Sequence, residues 1–314
     1  MNILKHCLVL LASTSFLVFA GENIDQSLPA DGVKSVEIEN LRGKVKIIGQ
    51  NTKAIRVVGQ LDEEAEGFTF KQSGSIVLIK VEMPRHLESS WSRKETNLEI
   101  SLPSALNVSF SGVSTDVVIK DIDADVNANS VSGNVNLENI SQRVEVTSVS
   151  GDISAKQLGK SSHLSNVSGN IVTSGASGNL YAKAVSGDLN ITSTASHVEV
   201  KNVSGEIELV LASVEELSMS TVSGDVDADL TLLDNGKVKL SSVSGDFTLN
   251  FLNDVDAIFR LRASAGGDLI NRLTNDKAIE DKYGPSSRLA FETGNASARV
   301  NGSTVSGNVV LKRK

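Results

Sequence analysis

The sequence predicts an all-β chain, folded as a single-stranded parallel β-helix with about 18 residues per coil. Three observations predict it: a four-residue phrase that recurs at a fixed step, an apolar alternation of strand period between its copies, and turn chemistry at each copy. The phrase is Val131-Ser132-Gly133-Asn134, followed by Val149-Ser150-Gly151-Asp152, Val167-Ser168-Gly169-Asn170, Val185-Ser186-Gly187-Asp188 and Val203-Ser204-Gly205-Glu206, each 18 residues after the last. Val113-Ser114-Thr115-Asp116 sits one step earlier, with Thr in place of Gly. Val222-Ser223-Gly224-Asp225 and Val243-Ser244-Gly245-Asp246 follow at looser steps of 19 and 21, and Val305-Ser306-Gly307-Asn308 closes the series. Repeats this short form solenoids, because one unit cannot bury its apolar side alone.

The alternation comes next. With the phrase Val as the first place, the fifth is Val117, Val135, Ile153, Ile171, Leu189 and Ile207, and the seventh is Ile119, Leu137, Ala155, Thr173, Ile191 and Leu209. A corner residue follows three later: Ile122, Ile140, Leu158, Ala176, Thr194 and Ala212. Places fourteen and sixteen are mostly apolar too, as in Val126 and Ala128 or Val144 and Val146, so each coil is two similar halves. Successive strand side chains face opposite sides, which gives this period of two; the three-and-four spacing of a helix is absent. Ser-Gly-Asp/Asn supplies the turn, with Gly free to take positive φ and Asp or Asn able to bond its own backbone. The extra residues before Val222 and Val243 fall in a turn and return Leu217, Met219, Val238 and Leu240 to register.

The elements follow in chain order. Residues 1–20 read as a secretory signal peptide: Lys5 gives the positive start, Leu8 to Phe19 the apolar run, and Val18-Phe19-Ala20 the small-residue cleavage site. The run is short for a membrane span, which needs about 20 apolar residues, so the processed chain is expected not to be an integral membrane protein. The one cysteine, Cys7, lies inside this segment. A processed chain without cysteine holds no disulfide and suits a bacterial periplasm or cell surface. Residues 21–108 read as an irregular β-rich part that caps the solenoid, covering an end that would otherwise expose unpaired backbone. Within it, Met83 to Thr96, with His86, Trp91 and Arg93, reads as an exposed loop. The solenoid proper is expected over 109–314, with an inserted loop at about 271–288 holding a helical turn at Asp276 to Lys282. Lys312-Arg313-Lys314 ends the last strand, where charge would discourage edge pairing. Aromatic content of 4% fits a narrow core of Val, Ile, Leu and Ala. The net charge of −8 excludes the basic stripe that nucleic acid requires.

The repeated phrase, the Leu102-Pro103 lead-in, the entry Asn40-Leu41-Arg42-Gly43-Lys44-Val45-Lys46-Ile47 and the closing Thr304-Val305-Ser306-Gly307-Asn308-Val309 together resemble the bacterial putative-adhesin family, a domain of unknown function. The resemblance covers roughly residues 33–311. It implies an exported β-helix protein and carries over no catalytic residue.

Two candidate chemistries stand out. Asn134, Asp152, Asn170, Asp188, Glu206, Asp225, Asp246 and Asn308 form one column of acids and amides. Calcium-binding β-rolls use nine-residue halves, yet they place more glycines and several oxygen ligands at each ion. One Gly and one acid or amide per turn instead predicts a structural column, with no metal and no cofactor. The other candidate is the outward fifteenth place, Glu145, His163, Tyr181 and Glu199, where a ring could stack on a sugar; His197 falls at the thirteenth place, outside that column. No serine of the phrase has a His at a matching place, so nucleophilic catalysis is not expected. No phosphate loop, zinc spacing or dinucleotide fingerprint is present.

Two function classes follow. One is a non-catalytic cell-envelope adhesin or scaffold that binds a surface, an envelope polysaccharide or another envelope protein through flat faces. These faces carry Asn136, Ser154, Asn190 and Glu208 on one side and the His163–Tyr181 column on the other. The other class is a carbohydrate-active β-helix enzyme, which needs carboxylates converging in a groove with aromatic stacking. Scattered acids and few aromatics favour the first.

Overall fold

The computed structural model describes residues 21–85 and 94–314. The expected signal segment with Cys7, and His86, Trp91 and Arg93 of the expected loop, lie outside them. The described residues are all-β: their strands join one sheet that wraps into two opposed faces, and no helix forms. No helix among them is therefore long and apolar enough to cross a membrane.

Each face is a stack of parallel strands in fixed register. On one, Val108, Val126, Val144, Ser162, Leu180, Val198, Leu217, Val238 and Val300 lie side by side in that order. On the other, Val45, Val117, Val135, Ile153, Ile171, Leu189, Ile207, Val226, Phe247 and Val309 do the same. The fifth and seventh places are buried throughout the central coils, and Asn136, one residue along the pleat from Val135, is exposed. The looser steps return to register as expected: Leu217 and Met219 align with Val198 and Val200. The extra residues fall inside continuous strands and not in a turn, since the pairing of Ile207–Ser220 with Val226–Ser242 slips between Leu211 and Glu216.

Glycine is required at the third place chiefly by contact. A Cβ on Gly133 would stand 1.8 Å from the Thr115 carbonyl oxygen, and one on Gly151 2.1 Å from that of Gly133. Among the phrase glycines only Gly187 and Gly205 have positive φ, so the positive-φ account of the turn is corrected to one of close backbone approach. The left-handed residues sit in the opposite turn, at Asp121, Asn139, Gln157 and Gly175, one per coil. They explain a second correction. In these coils a left-handed residue takes up one position, and the next side chain, as in Ile140 or Leu158, turns inward. From Leu189 onward that residue is missing, and Ser193 pairs with Ala176. Ser193 and Leu211 are then buried, while Thr194 and Ala212, the expected corners, are exposed.

Both ends depart from chain order. Strand Ser35–Gln50 lies between Asn107–Ile122 and the pair Ile76–Glu82 and Thr96–Pro103, so one rung of the stack comes from the early part of the chain. Antiparallel strands Gly67–Ser73 and Ala54–Gln60 then cover that end. At the other end, Ala298–Thr304 lies between Val226–Ser242 and Ala257–Ala263, and Val309–Arg313 lies between Phe247–Phe251 and Leu269–Asn271. The last strand is therefore internal over Val309–Leu311, while Lys312 and Arg313 pair only with Asn250 and Phe251. In the basic tail Arg313 pairs with Asp254, and Lys314 with Asp229. The helical turn expected at Asp276 to Lys282 is also replaced. Ile279–Glu280 pairs antiparallel with Ser287–Glu292, which satisfies backbone groups that a single isolated turn would leave open. Aromatic rings gather where the repeat loosens: Phe259 stacks on Phe291 at 4.4 Å and meets Phe251 edge-on at 5.9 Å.

Candidate functional site

The acid and amide column forms a chain of hydrogen bonds. The amide of Asn134 donates to Asp116 Oδ1, that of Asp152 to Asn134 Oδ1, that of Asn170 to Asp152 Oδ1, and that of Asp188 to Asn170 Oδ1, all at 2.8–3.0 Å. Glu206, Asp246, Asn308 and Asp268 continue it. Asn and Asp alternate freely because each offers the same Oδ1 acceptor. Glu206 interrupts the chain: among the described residues its longer side chain makes no such bond to the Asp225 amide. No group of three or more His, Cys, Asp and Glu among the described residues could hold a metal ion.

A buried polar column behind the phrase escaped the sequence reading. Ser130 Oγ accepts from the Gly133 amide and donates to its carbonyl; Ser148 and Ser242 do the same for Gly151 and Gly245. Asn166 and Asn202 reach one coil back, to the Gly151 and Gly187 carbonyls. A small polar residue directly before almost every phrase Val was the available signal.

The four candidate ligand residues do form one column. Glu145 pairs in register with His163, His163 with Tyr181, and Tyr181 with Glu199. They line a shallow open depression of about 310 Å³ together with His197, Glu216 and Ser218, except for Glu145, which lies one rung outside it. His197 was set aside on its thirteenth place. Places thirteen and fifteen differ by two and so share a face, and this parity could have found it.

Side-chain geometry narrows what the column can do. The His163 and Tyr181 rings stack at 4.2 Å and 10°, following the rung spacing of the sheet. Lys201 Nζ stands 5.4 Å from the Tyr181 ring centroid. The Tyr181 face toward His163 is thus covered, and the ring edges, hydroxyl and imidazole nitrogens are what face outward. Glu199 pairs with Lys201 at 2.5 Å, and that carboxylate holds the ammonium above its ordinary value. Glu145 and Glu199 are three rungs apart, about 14 Å at strand spacing. Glycoside hydrolases hold their two carboxyl groups about 5–10 Å apart, so this pair cannot act together on one bond.

The Toastrack DUF4097 family model matches residues 15–176 and 175–312. The chain belongs to the Toastrack DUF4097 family. This agrees with the resemblance carried by the Val-Ser-Gly-Asp phrase. Among curated proteins no relative matches. Solved structures similar to this Toastrack chain include a putative adhesin from Parabacteroides distasonis, with 11% identity and a TM-score of 0.49, covering 74% of this chain and 97% of that one. A putative adhesin from Parabacteroides merdae has 9% identity and a TM-score of 0.47, covering 75% and 98%. A putative cell adhesion protein from Clostridium sporogenes has 13% identity and a TM-score of 0.23, covering 93% and 100%.

Proposed function

We propose that this Toastrack chain is a non-catalytic, exported cell-envelope adhesin or scaffold. Its fold is read as a single-stranded parallel β-helix of about 18-residue coils, in which residues 21–108 cap a stack formed by 109–314 and share the rung Ser35–Gln50 with it. Its flat polar faces bind an envelope polysaccharide or another envelope protein. The column Glu145, His163, Tyr181 and Glu199 is the first contact site.

The observation that carries this reading is the register of the outward columns. Equivalent polar side chains stand in line at rung spacing, beside an open depression and not around an enclosed apolar pocket of the kind small-molecule sites use. A line of weak, evenly spaced contacts suits a polymer, since binding strength accumulates with their number. Because the Tyr181 face is covered, a sugar would be met by hydrogen bonds from ring edges and from Glu199, with stacking a lesser part. The adhesin half of the reading rests on the resemblance of the phrase to the putative-adhesin family.

The test incubates purified protein with cell-envelope polysaccharides and peptidoglycan, and follows retention and the release of reducing ends together. The reading expects saturable retention that weakens in the His163→Ala, Tyr181→Ala double variant, with no product. Steady release of product, abolished by Glu199→Gln or Glu216→Gln, would overturn it in favour of the carbohydrate-active enzyme.

A further inference from the structure

The phrase valines are not core residues. Val113, Val131, Val149, Val167, Val185 and Val203 each keep 38–46% of their surface exposed, as do Val222, Val243 and Val305 at 43–47%. Backbone bonds between successive phrases, such as Ser150 N–H to the Val131 carbonyl and Ser306 N–H to the Val243 carbonyl, place all nine in one line. Nine of the 17 exposed large apolar residues among the described residues lie on this one ridge, so the exposure is organised and not scattered. Eight steps at strand spacing make it about 38 Å long. Its exposed apolar area, on the order of 500 Å², is in the range of the largest patch on a soluble monomer, which is often a functional one.

The fold does not ask for valine here. Threonine has the same branched shape and strand preference and would replace one of the two exposed methyl groups with a hydroxyl, yet every copy carries Val. Beside the ridge runs a line of negative charge. Asp116, Asp152, Asp188, Glu206, Asp225 and Asp246 lie three residues beyond their valines, and none forms an ion pair among the described residues. In Asp116, Asp152 and Asp188, Oδ1 accepts the next amide and the other oxygen is unbonded.

We propose that the valine ridge and its acidic flank are a docking surface for a basic amphipathic helix of a partner protein. The apolar stripe of a helix repeats every 5.4 Å or so, close to the rung spacing of about 4.8 Å, so its side chains seat between successive valines over several rungs. On the same face of a strand they recur at about 6.7 Å and fall out of step. The acidic line selects lysine and arginine beside the stripe. A second copy of this chain is the poorer occupant: it carries the same net charge of −8, and antiparallel apposition of two ridges sets acidic line against acidic line. This site is separate from the His163–Tyr181 column, and the inference does not depend on glycan binding there.

The probe is a labelled helical peptide of about 20 residues, roughly 30 Å long, with a leucine stripe flanked by lysines. Its twin carries glutamate for lysine. Fluorescence anisotropy of the full chain with the lysine peptide should show saturable binding that weakens with salt, and the glutamate twin should not bind. The Asp152→Asn, Asp188→Asn variant keeps both Oδ1 acceptors, as Asn134 and Asn170 already do, and should weaken binding about tenfold. The Val149→Ser, Val167→Ser, Val185→Ser variant should bind about 100-fold more weakly. Thermal melts establish that each variant is folded, and if the valine variant is not, the asparagine variant decides alone. Equal binding of both peptides, or no effect of the asparagine variant, overturns the proposal. So does concentration-dependent dimerisation of the unaltered chain that the valine variant abolishes, which would make the occupant a second copy.

Discussion

Asp188 takes an amide bond onto its side chain from Glu206 and gives its own amide to Asn170, and this double role sets what can replace it. Asp188→Asn keeps the acceptor and should leave the melting temperature nearly unchanged. Asp188→Ala loses it and should cost about 1 kcal/mol in chemical denaturation. Glu206→Asp should restore the missing link to the Asp225 amide and raise stability by a similar half to one kcal/mol, roughly. Gln157, held at φ 53°, invites a second stabilising change: Gln157→Gly removes a left-handed cost of about 1 kcal/mol. Gly151→Ala, by contrast, drives a methyl group into the Gly133 carbonyl at a buried position and should cost several kcal/mol, roughly, placing it among the most damaging substitutions. Glycine and the acid or amide were legible as turn residues because the phrase repeats them. The contact that demands the glycine was not, because it joins residues 18 apart through backbone atoms and leaves no side-chain signature.

At the scale of single strands, facing follows from the period. Ile153 is buried and Asn136 exposed, so Ile153→Asp should lower stability by several kcal/mol, roughly, through an unpaired buried charge, while Asn136→Asp should be mild. Thermal melts ranking them the other way would shift every facing assignment by one residue. Rungs are also tied by carboxylates. Hydroxyl groups of Ser104 and Ser141 hold the Asp123 carboxyl below its ordinary value, and a bond from Lys120 does the same for Glu138. A folded value below the unfolded one means these ties are complete above the ordinary carboxylate range and are lost as pH falls below it, through the lowered folded values. Melting temperature should therefore be flat from neutral pH down to about 5 and fall below about 4. Salt should blunt the Glu138 part, where both partners are exposed, and spare the Asp123 part. The register of the central strands was legible for the same reason as the facing. The shifted corner past Leu189 had a signal that was missed: as the left-handed residue drops out, the buried apolar residue moves from place ten to place nine, at Leu211 and Leu230.

Across the whole molecule, the chain closes both ends of the stack by returning inside it. Val309–Arg313 bonds to Phe247–Phe251 on one side and Leu269–Asn271 on the other. Deleting residues 309–314 should therefore strip two strands of partners, expose Phe247 and Phe251, and lower the melting temperature far more than loss of an edge strand would. These insertions had no local signal, since long-range pairing alone decides which rung lies next to which. The candidate site was legible as a column and not as a surface: parity would have added His197, but the mutual stacking of His163 and Tyr181 is a property of side chains in space. The functional claim belongs to this scale as well, because binding by a line of evenly spaced contacts is a property of the stack. It is tested most directly by the affinity of one envelope polysaccharide, cut to a series of defined lengths, measured by calorimetry alongside its size distribution. Affinity that climbs with each added repeat until the ligand spans the face, with the polymer left intact, is the predicted result. Affinity that is complete at one or two sugars, or a polymer that shortens during the measurement, would contradict the account.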